Sequence, residues 1–161
     1  MLDHNIFIFD YEFNYDILEM YWDIHEQRLK GYTDPRIEGD LDQWKIARLE
    51  MFDYAQELCD TFGIKNGKPR FYKLEANTEL PMHVDYGTTC SLNIALSDGN
   101  APVKFMDKEY AYKSAILNTG NTHGVVNGPT DRRLFKISVF DQTFEEVCDN
   151  ISKSIKHHTS V

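Results

Sequence analysis

A chain of 161 residues, 42% apolar and 13% aromatic, holds enough material for one packed domain. Its net charge of −9 comes with no run of lysines or arginines. That excludes the clustered basic footprint of a nucleic-acid or anionic-membrane binder and favours neutral or basic substrates. Cys59, Cys90 and Cys148 are odd in number and far apart, with no Cys-x-x-Cys spacing, which excludes a disulfide framework and a zinc knuckle and fits a reducing cytoplasm.

The apolar run over residues 5–9 is too short for a membrane span and lacks the basic flank of a signal peptide, so it reads as a strand. From Asn14 a helix is predicted to run to about Lys30, with Ile17, Leu18, Tyr21, Trp22, Ile24 and Leu29 on its apolar side and Gly31 as its stop. Residues 32–39, which include Pro35, form a loop. A second helix is predicted from an Asp40 N-cap with Gln43 at the capping-box position. Along it Leu41, Trp44, Ala47, Met51, Ala55, Leu58 and Phe62 recur at three or four before Gly63 ends it. Beyond Arg70 the pattern changes to short runs punctuated by Asn, Gly, Asp and Pro. Strands are predicted over 70–75, 81–85, 91–97, 102–106, 109–112, 115–118, 123–126 and 133–140, which together suggest a jelly-roll barrel. A last helix starts at Thr143, with Glu146 completing a capping box, and buries Phe144, Val147, Ile151 and Ile155. The expected organisation is a single domain over 1–161: a mainly helical part over 1–69, the jelly-roll core over 70–140, and a C-terminal helix and tail over 141–161.

Within the strands, His83-Val84-Asp85 is the most informative triplet. Side chains at i and i+2 of a strand share a face, so His83 and Asp85 can grip one ion while Val84 packs the other way. His123 follows forty residues after His83 and Arg133 ten residues after that. Two imidazoles and one carboxylate leave coordination positions open, the facial arrangement of non-haem Fe(II) oxygenases. The turn signal Asn127-Gly128-Pro129-Thr130-Asp131 predicts a hairpin that sets His123 opposite or one step diagonal from Arg133, about 5–8 Å away. A guanidinium there suits the far carboxylate of a short diacid whose other end chelates the ion, which describes 2-oxoglutarate; the plainer alternative is a surface ion pair with Asp131. Arg132 falls on the opposite face and reads as the surface residue. Along residues 91–96 the large apolar side chains face one way, leaving Ser91 and Asn93 facing either a pocket or solvent. Tyr72 either offers its hydroxyl to a ligand or packs in the core. His4, His25 and the pair His157-His158 read as packing or solvated residues, and Cys90 as a small buried hydrophobe.

The stretch from Phe71 to Phe140, with Leu80-Pro81-Met82-His83-Val84-Asp85-Tyr86-Gly87 and Asn118-Thr119-Gly120-Asn121-Thr122-His123, resembles the double-stranded β-helix core of Fe(II)- and 2-oxoglutarate-dependent oxygenases. Its likeness is to the aspartyl/asparaginyl β-hydroxylase-like or prolyl hydroxylase-like branch. The resemblance implies that His83, Asp85 and His123 are iron ligands, that Arg133 binds 2-oxoglutarate, and that Tyr72, Ser91 and Asn93 line the co-substrate pocket. It also implies use of O2, with ascorbate as a stimulant, and hydroxylation of an amino-acid side chain, free or in a peptide, with release of succinate and CO2. Tyr86, Arg132 and the loop over 32–39 would form the rim. One departure stands out: the aspartyl hydroxylases that name the branch lack the carboxylate ligand, whereas Asp85 is present here, as in free-proline hydroxylases. The competing reading is a cupin-like metal protein or metalloenzyme that does not use 2-oxoglutarate.

Overall fold

The computed structural model describes residues 3–37, 39 and 41–159, without the side chains of 157–159. The predicted N-cap Asp40 and the side chains of His157 and His158 therefore lie outside the described residues.

In chain order the elements are β1 (Ile6–Ile8), α1 (Tyr15–His25) with a 3-10 turn (Glu26–Arg28), β2 (Lys30–Gly31), β3 (Trp44–Arg48), α2 (Asp53–Phe62), β4 (Lys68–Leu74), β5 (Glu79–His83), β6 (Cys90–Ala95), β7 (Val103–Phe105), β8 (Glu109–Tyr110), β9 (Ser114–Leu117), β10 (His123–Val126), β11 (Arg132–Val139) and α3 (Phe144–Thr159). The strands form a seven-stranded sheet in the order β1-β9-β6-β11-β4-β3-β2 and a four-stranded sheet in the order β5-β10-β7-β8. Every pairing is antiparallel. The architecture is a jelly roll with helices on one side. One core lies between the helices and the larger sheet, built on Phe62, Phe71, Leu92, Ile94, Phe135 and Ile137. A second lies between the two sheets and includes Tyr72, Leu74, Phe105, Leu117 and Leu134.

The start of α1 follows from its cap, since Asn14 Oδ1 accepts a hydrogen bond from the Ile17 amide at 3.1 Å. The α3 start is equally legible: the Glu146 amide donates to Thr143 Oγ1 at 3.1 Å. Two helix expectations need correction. The first helix stops at His25, and Gly31, expected to be its stop, lies instead in β2. The second is split, with Trp44–Arg48 forming a strand and only Asp53–Phe62 a helix, closed by Gly63 at φ +66°. The helical spacing of Leu41, Trp44, Ala47 and Met51 was misleading because Trp44 and Ile46 alternate with Lys45 equally well. Pairing with β4 on one side and β2 on the other satisfies the backbone of that segment, and Met51 is 86% exposed. As a result the first 69 residues are not mainly helical; they add β1, β2, β3 and the start of β4 to the larger sheet.

Candidate metal centre

Strand pairing builds the centre. His123 of β10 is the register partner of His83 at the end of β5, which brings the two ring centroids to 4.5 Å. Immediately after His123 the register shifts at Gly124, where an added Cβ would stand 2.7 Å from the Leu80 carbonyl oxygen. Glycine is needed there to let the two strands approach. Asp85 lies just beyond β5, tied by its amide to the Thr119 carbonyl at 3.0 Å. Its Oδ1 is 3.1 Å from His83 Nε2 and 3.5 Å from His123 Nε2. The three ligand-type atoms lie within 4.8 Å of one another.

Each imidazole is oriented by its other nitrogen. His83 Nδ1 lies 2.7 Å from the Pro81 carbonyl and His123 Nδ1 lies 2.8 Å from the Asn121 carbonyl. A carbonyl only accepts, so each Nδ1 faces its carbonyl as a donor and each Nε2 is turned toward Asp85. This backbone arrangement orients and polarises metal-ligating histidines. Trp44 and Phe105 flank the rings at 5.4 and 5.7 Å. The set of two imidazole nitrogens and one carboxylate fits a divalent transition ion with positions left open.

A fourth group completes the electrostatics. Lys136 Nζ sits 3.6 Å from Asp85 Oδ2, over the Tyr72 ring at 4.8 Å. Burial alone would push the Asp85 carboxyl up, but the Lys136 ammonium and the imidazoles at its Oδ1 outweigh this and hold it well below the usual carboxylate range. Burial would likewise push Lys136 down, and Asp85 reverses the direction, so the lysine stays charged.

Beside the centre a narrow cavity of about 40 Å³ runs between the sheets, lined by Tyr72, Asn93, Tyr112, His123, Arg132 and Lys136 among apolar neighbours. Its polar wall is a chain of hydrogen bonds. Ser91 Oγ donates to Asn93 Oδ1 at 2.8 Å, Asn93 Nδ2 donates to the Tyr112 hydroxyl at 3.0 Å, and Arg132 Nη2 donates to that same hydroxyl at 3.0 Å. Arg132 Nη1 also donates to the Ala101 carbonyl. Tyr72 and Asn93 are thus in the wall, with Ser91 behind Asn93; both β6 residues are buried, so the solvent-facing alternative does not apply to them.

Arg133 must be corrected. β10 and β11 belong to different sheets, so residues 127–131 are a crossing between sheets and not a hairpin. Arg133 points to the helix-covered face, where its Nη1 donates to Glu19 Oε2 at 2.9 Å and its Nη2 to Glu19 Oε1 at 3.1 Å and to the Leu96 carbonyl at 2.9 Å. Arg132, expected at the surface, is 4% exposed and lines the cavity. Lys136, Tyr112 and Trp44 were not singled out as site residues by sequence reasoning, and Arg132 only as a surface or rim residue. Alternation contained the signal: Phe135, Ile137 and Val139 mark the packed face of β11, which leaves Arg132, Leu134 and Lys136 on the other.

Among the residues expected to form a rim, Arg36 lies over the Tyr86 ring at 4.2 Å and pairs with Asp34 through Nε at 2.9 Å and Nη2 at 2.8 Å. Tyr32 packs on Trp44 at 4.7 Å. His25 is a packing residue, its Nδ1 2.8 Å from the Tyr21 carbonyl and its ring stacked on Tyr21. Cys59, Cys90 and Cys148 are free and buried. No helix among the described residues is long and apolar enough to cross a membrane.

No protein-family model matches the chain, and no curated protein matches it in sequence. Solved structures do. A prolyl-4-hydroxylase from Pseudomonas putida superposes with a TM-score of 0.61 at 12% identity, covering 86% of this chain and 94% of that one. A viral collagen prolyl hydroxylase from Paramecium bursaria Chlorella virus-1, solved as its 2-oxoglutarate complex, gives 0.60 at 9% identity, covering 84% and 94%. A prolyl hydroxylase from Trichoplax adhaerens, solved with a hypoxia-inducible-factor peptide fragment, gives 0.61 at 13% identity, covering 89% and 84%. The chain has the jelly-roll fold of these hydroxylases, and within it a His-Asp-His cluster suited to a metal ion.

Proposed function

We propose that the protein is an Fe(II)- and 2-oxoglutarate-dependent oxygenase that hydroxylates an amino-acid side chain, free or in a peptide. The observation that carries this reading is the convergence of His83 Nε2, His123 Nε2 and Asp85 Oδ1 beside a cavity walled by two buried cations, Arg132 and Lys136. His83, Asp85 and His123 would hold the iron, which when bound supplies the one-electron and O2 chemistry that no side chain offers. The balanced reaction converts substrate C–H, O2 and 2-oxoglutarate into substrate C–OH, succinate and CO2.

The chain's own residues do the positioning. Arg132, held by Tyr112 and the Ala101 carbonyl, takes the place that the sequence reading gave to Arg133, as the anchor of the distal carboxylate of 2-oxoglutarate. Asn93 and Tyr112 present further polar atoms to the same carboxylate, and Tyr72 closes the wall. A cavity of about 40 Å³ holds about three waters, so a five-carbon diacid enters only as wall side chains move. Lys136 is the nearest candidate, because its ammonium stands where charge changes when a dication meets Asp85. The free cysteines suit a reducing compartment, and we assign the protein to the cytoplasm.

The decisive experiment is anaerobic addition of Fe(II) and then 2-oxoglutarate to the purified protein. The expected result is a visible charge-transfer band that needs both additions and vanishes on admitting O2, with succinate formed. Absence of the band together with absence of succinate would reject the reading.

A further inference from the structure

The inner face of the larger sheet carries a row of cations that the centre does not use up. Strand register aligns Arg48 of β3, Arg70 of β4, Lys136 of β11 and Asn93 of β6 side by side. Lys136 is neutralised by Asp85. Arg70 and Arg48 have no acidic partner among the described residues, although the chain has 26 acidic residues against 17 basic ones. Like charges directly opposite each other on neighbouring strands destabilise a sheet. Arg70 is moreover incompletely bonded: its Nε is buried with no hydrogen-bond partner, and its Nη1 reaches only the Tyr72 hydroxyl at 3.4 Å. A buried guanidinium donor left open costs free energy unless a ligand takes it.

The position of the row connects it to the metal centre. The Arg70 guanidinium and the Lys136 ammonium both meet Tyr72, one at the hydroxyl and one over the ring, and Lys136 touches Asp85. From Arg48 an open groove continues past Arg28, Lys30 and Tyr32, and Tyr32 leads back through Trp44 to His83. In a chain of net charge −9 this is a local cluster of positive charge near the centre, which draws anions in against the overall field.

We propose that Arg70 and Arg48 form the substrate subsite, and that the molecule oxidised here bears a side-chain carboxylate: an acidic amino acid, or a peptide with an Asp or Glu beside the reacting residue. This rests on reading the His83, Asp85 and His123 cluster as the reaction centre. It reverses, locally, the preference for neutral or basic substrates that the overall composition suggests. Two guanidiniums at partnered positions of adjacent strands put two forked donors on one face, the residue type that carboxylates accept in pairs.

The test is binding under anaerobic conditions, with Fe(II) and 2-oxoglutarate present so that no turnover occurs. The probes are free aspartate and glutamate and a heptapeptide library holding one Asp or Glu, each against its Asn or Gln counterpart. A short oligonucleotide and inorganic phosphate serve as competing anions. Wild type is expected to bind acidic members about tenfold or more tighter than their amides. Arg70→Gln and Arg48→Gln bring the two to parity, and Arg70→Lys, which restores charge without the fork, recovers part of the preference. Circular dichroism identifies any variant that misfolds, and Arg48→Gln, at an exposed position, decides the matter if Arg70→Gln does. Equal binding of acids and amides, tighter binding of the oligonucleotide or phosphate, or an acid preference unchanged in the well-folded Gln variants overturns the proposal. An acid preference without succinate on admitting O2 supports the subsite and removes the oxygenase reading instead, so the two fail separately.

Discussion

The two faces of the seven-stranded sheet are made of the same strands and could hardly differ more. Toward the helices, β4, β6 and β11 present Phe71, Leu92, Ile94, Phe135, Ile137 and Val139, all essentially inaccessible to water. Toward the smaller sheet, the alternate positions of those strands present Arg70, Tyr72, Ser91, Asn93, Arg132 and Lys136. One face is a core in the ordinary sense. The other buries polar and charged groups at a cost that each must recover by hydrogen bonding or pairing. The contrast teaches that a period-2 strand lets one element serve stability and chemistry independently, residue by residue.

That independence can be broken or sharpened by substitution. The largest expected effect is on the helix-facing side: Phe135→Ala should cost about 3–5 kcal/mol of stability, measured by urea unfolding, while the fraction that stays folded keeps its metal stoichiometry. Loss of metal binding in that folded fraction would show that the two faces are not separable. On the site-facing side, Asp85→Ala should weaken Fe(II) or Co(II) binding about a hundredfold or more and, since it also strands the buried Lys136 ammonium without its partner, should lower stability as well. Normal affinity in a metal titration would remove Asp85 from the ligand set.

The sharpest pair is adjacent in sequence. Arg132→Ala should raise the KM for 2-oxoglutarate by about tenfold to a hundredfold, whereas Arg133→Ala should leave it within about twofold and lose at most about 1 kcal/mol from a half-exposed pair with Glu19. If the neighbouring substitutions had the reverse effects, the assignment of the two sides of β11 would be inverted. The smallest effect concerns the thiols. Burial pushes Cys59 and Cys90 up to about 11 and Cys148 up to about 12. A raised thiol pKa keeps the neutral form through pH 8, so native thiols should react with a maleimide or disulfide reagent slower than unfolded ones by about a hundredfold or more. Fast labelling of the folded protein at pH 8 would contradict that burial.

Much of this was legible in the chain. The eight strands after Lys68, the caps at Asn14 and Thr143, and the clustering of His83, Asp85 and His123 all follow from local alternation, cap chemistry and spacing. What was not legible depended on which sheet a strand joins. The segment around Trp44 has apolar residues compatible with two periods, and only the neighbouring strands β4 and β2 decide between them. Arg133 was favoured because a strong turn signal was read as a hairpin, yet the same turn residues serve equally well to cross from one sheet to the other. Applied consistently, the alternation that marked Ser91 and Asn93 as pocket candidates would have marked Arg132 and Lys136 as well.

The ion pair between Lys136 and Asp85 has a further consequence, for assembly rather than for chemistry. Proteins whose ligands repel or lie uncompensated without their ion fold only when it arrives, as zinc fingers do. Here the lysine is a built-in placeholder cation, so the carboxylate is charge-balanced from the moment the sheets close. If the cluster holds an ion as proposed, folding and loading would be separable events: the polypeptide would mature in a metal-poor setting, wait in a ready form, and accept its ion late, at the expense of displacing an ammonium each time it did so.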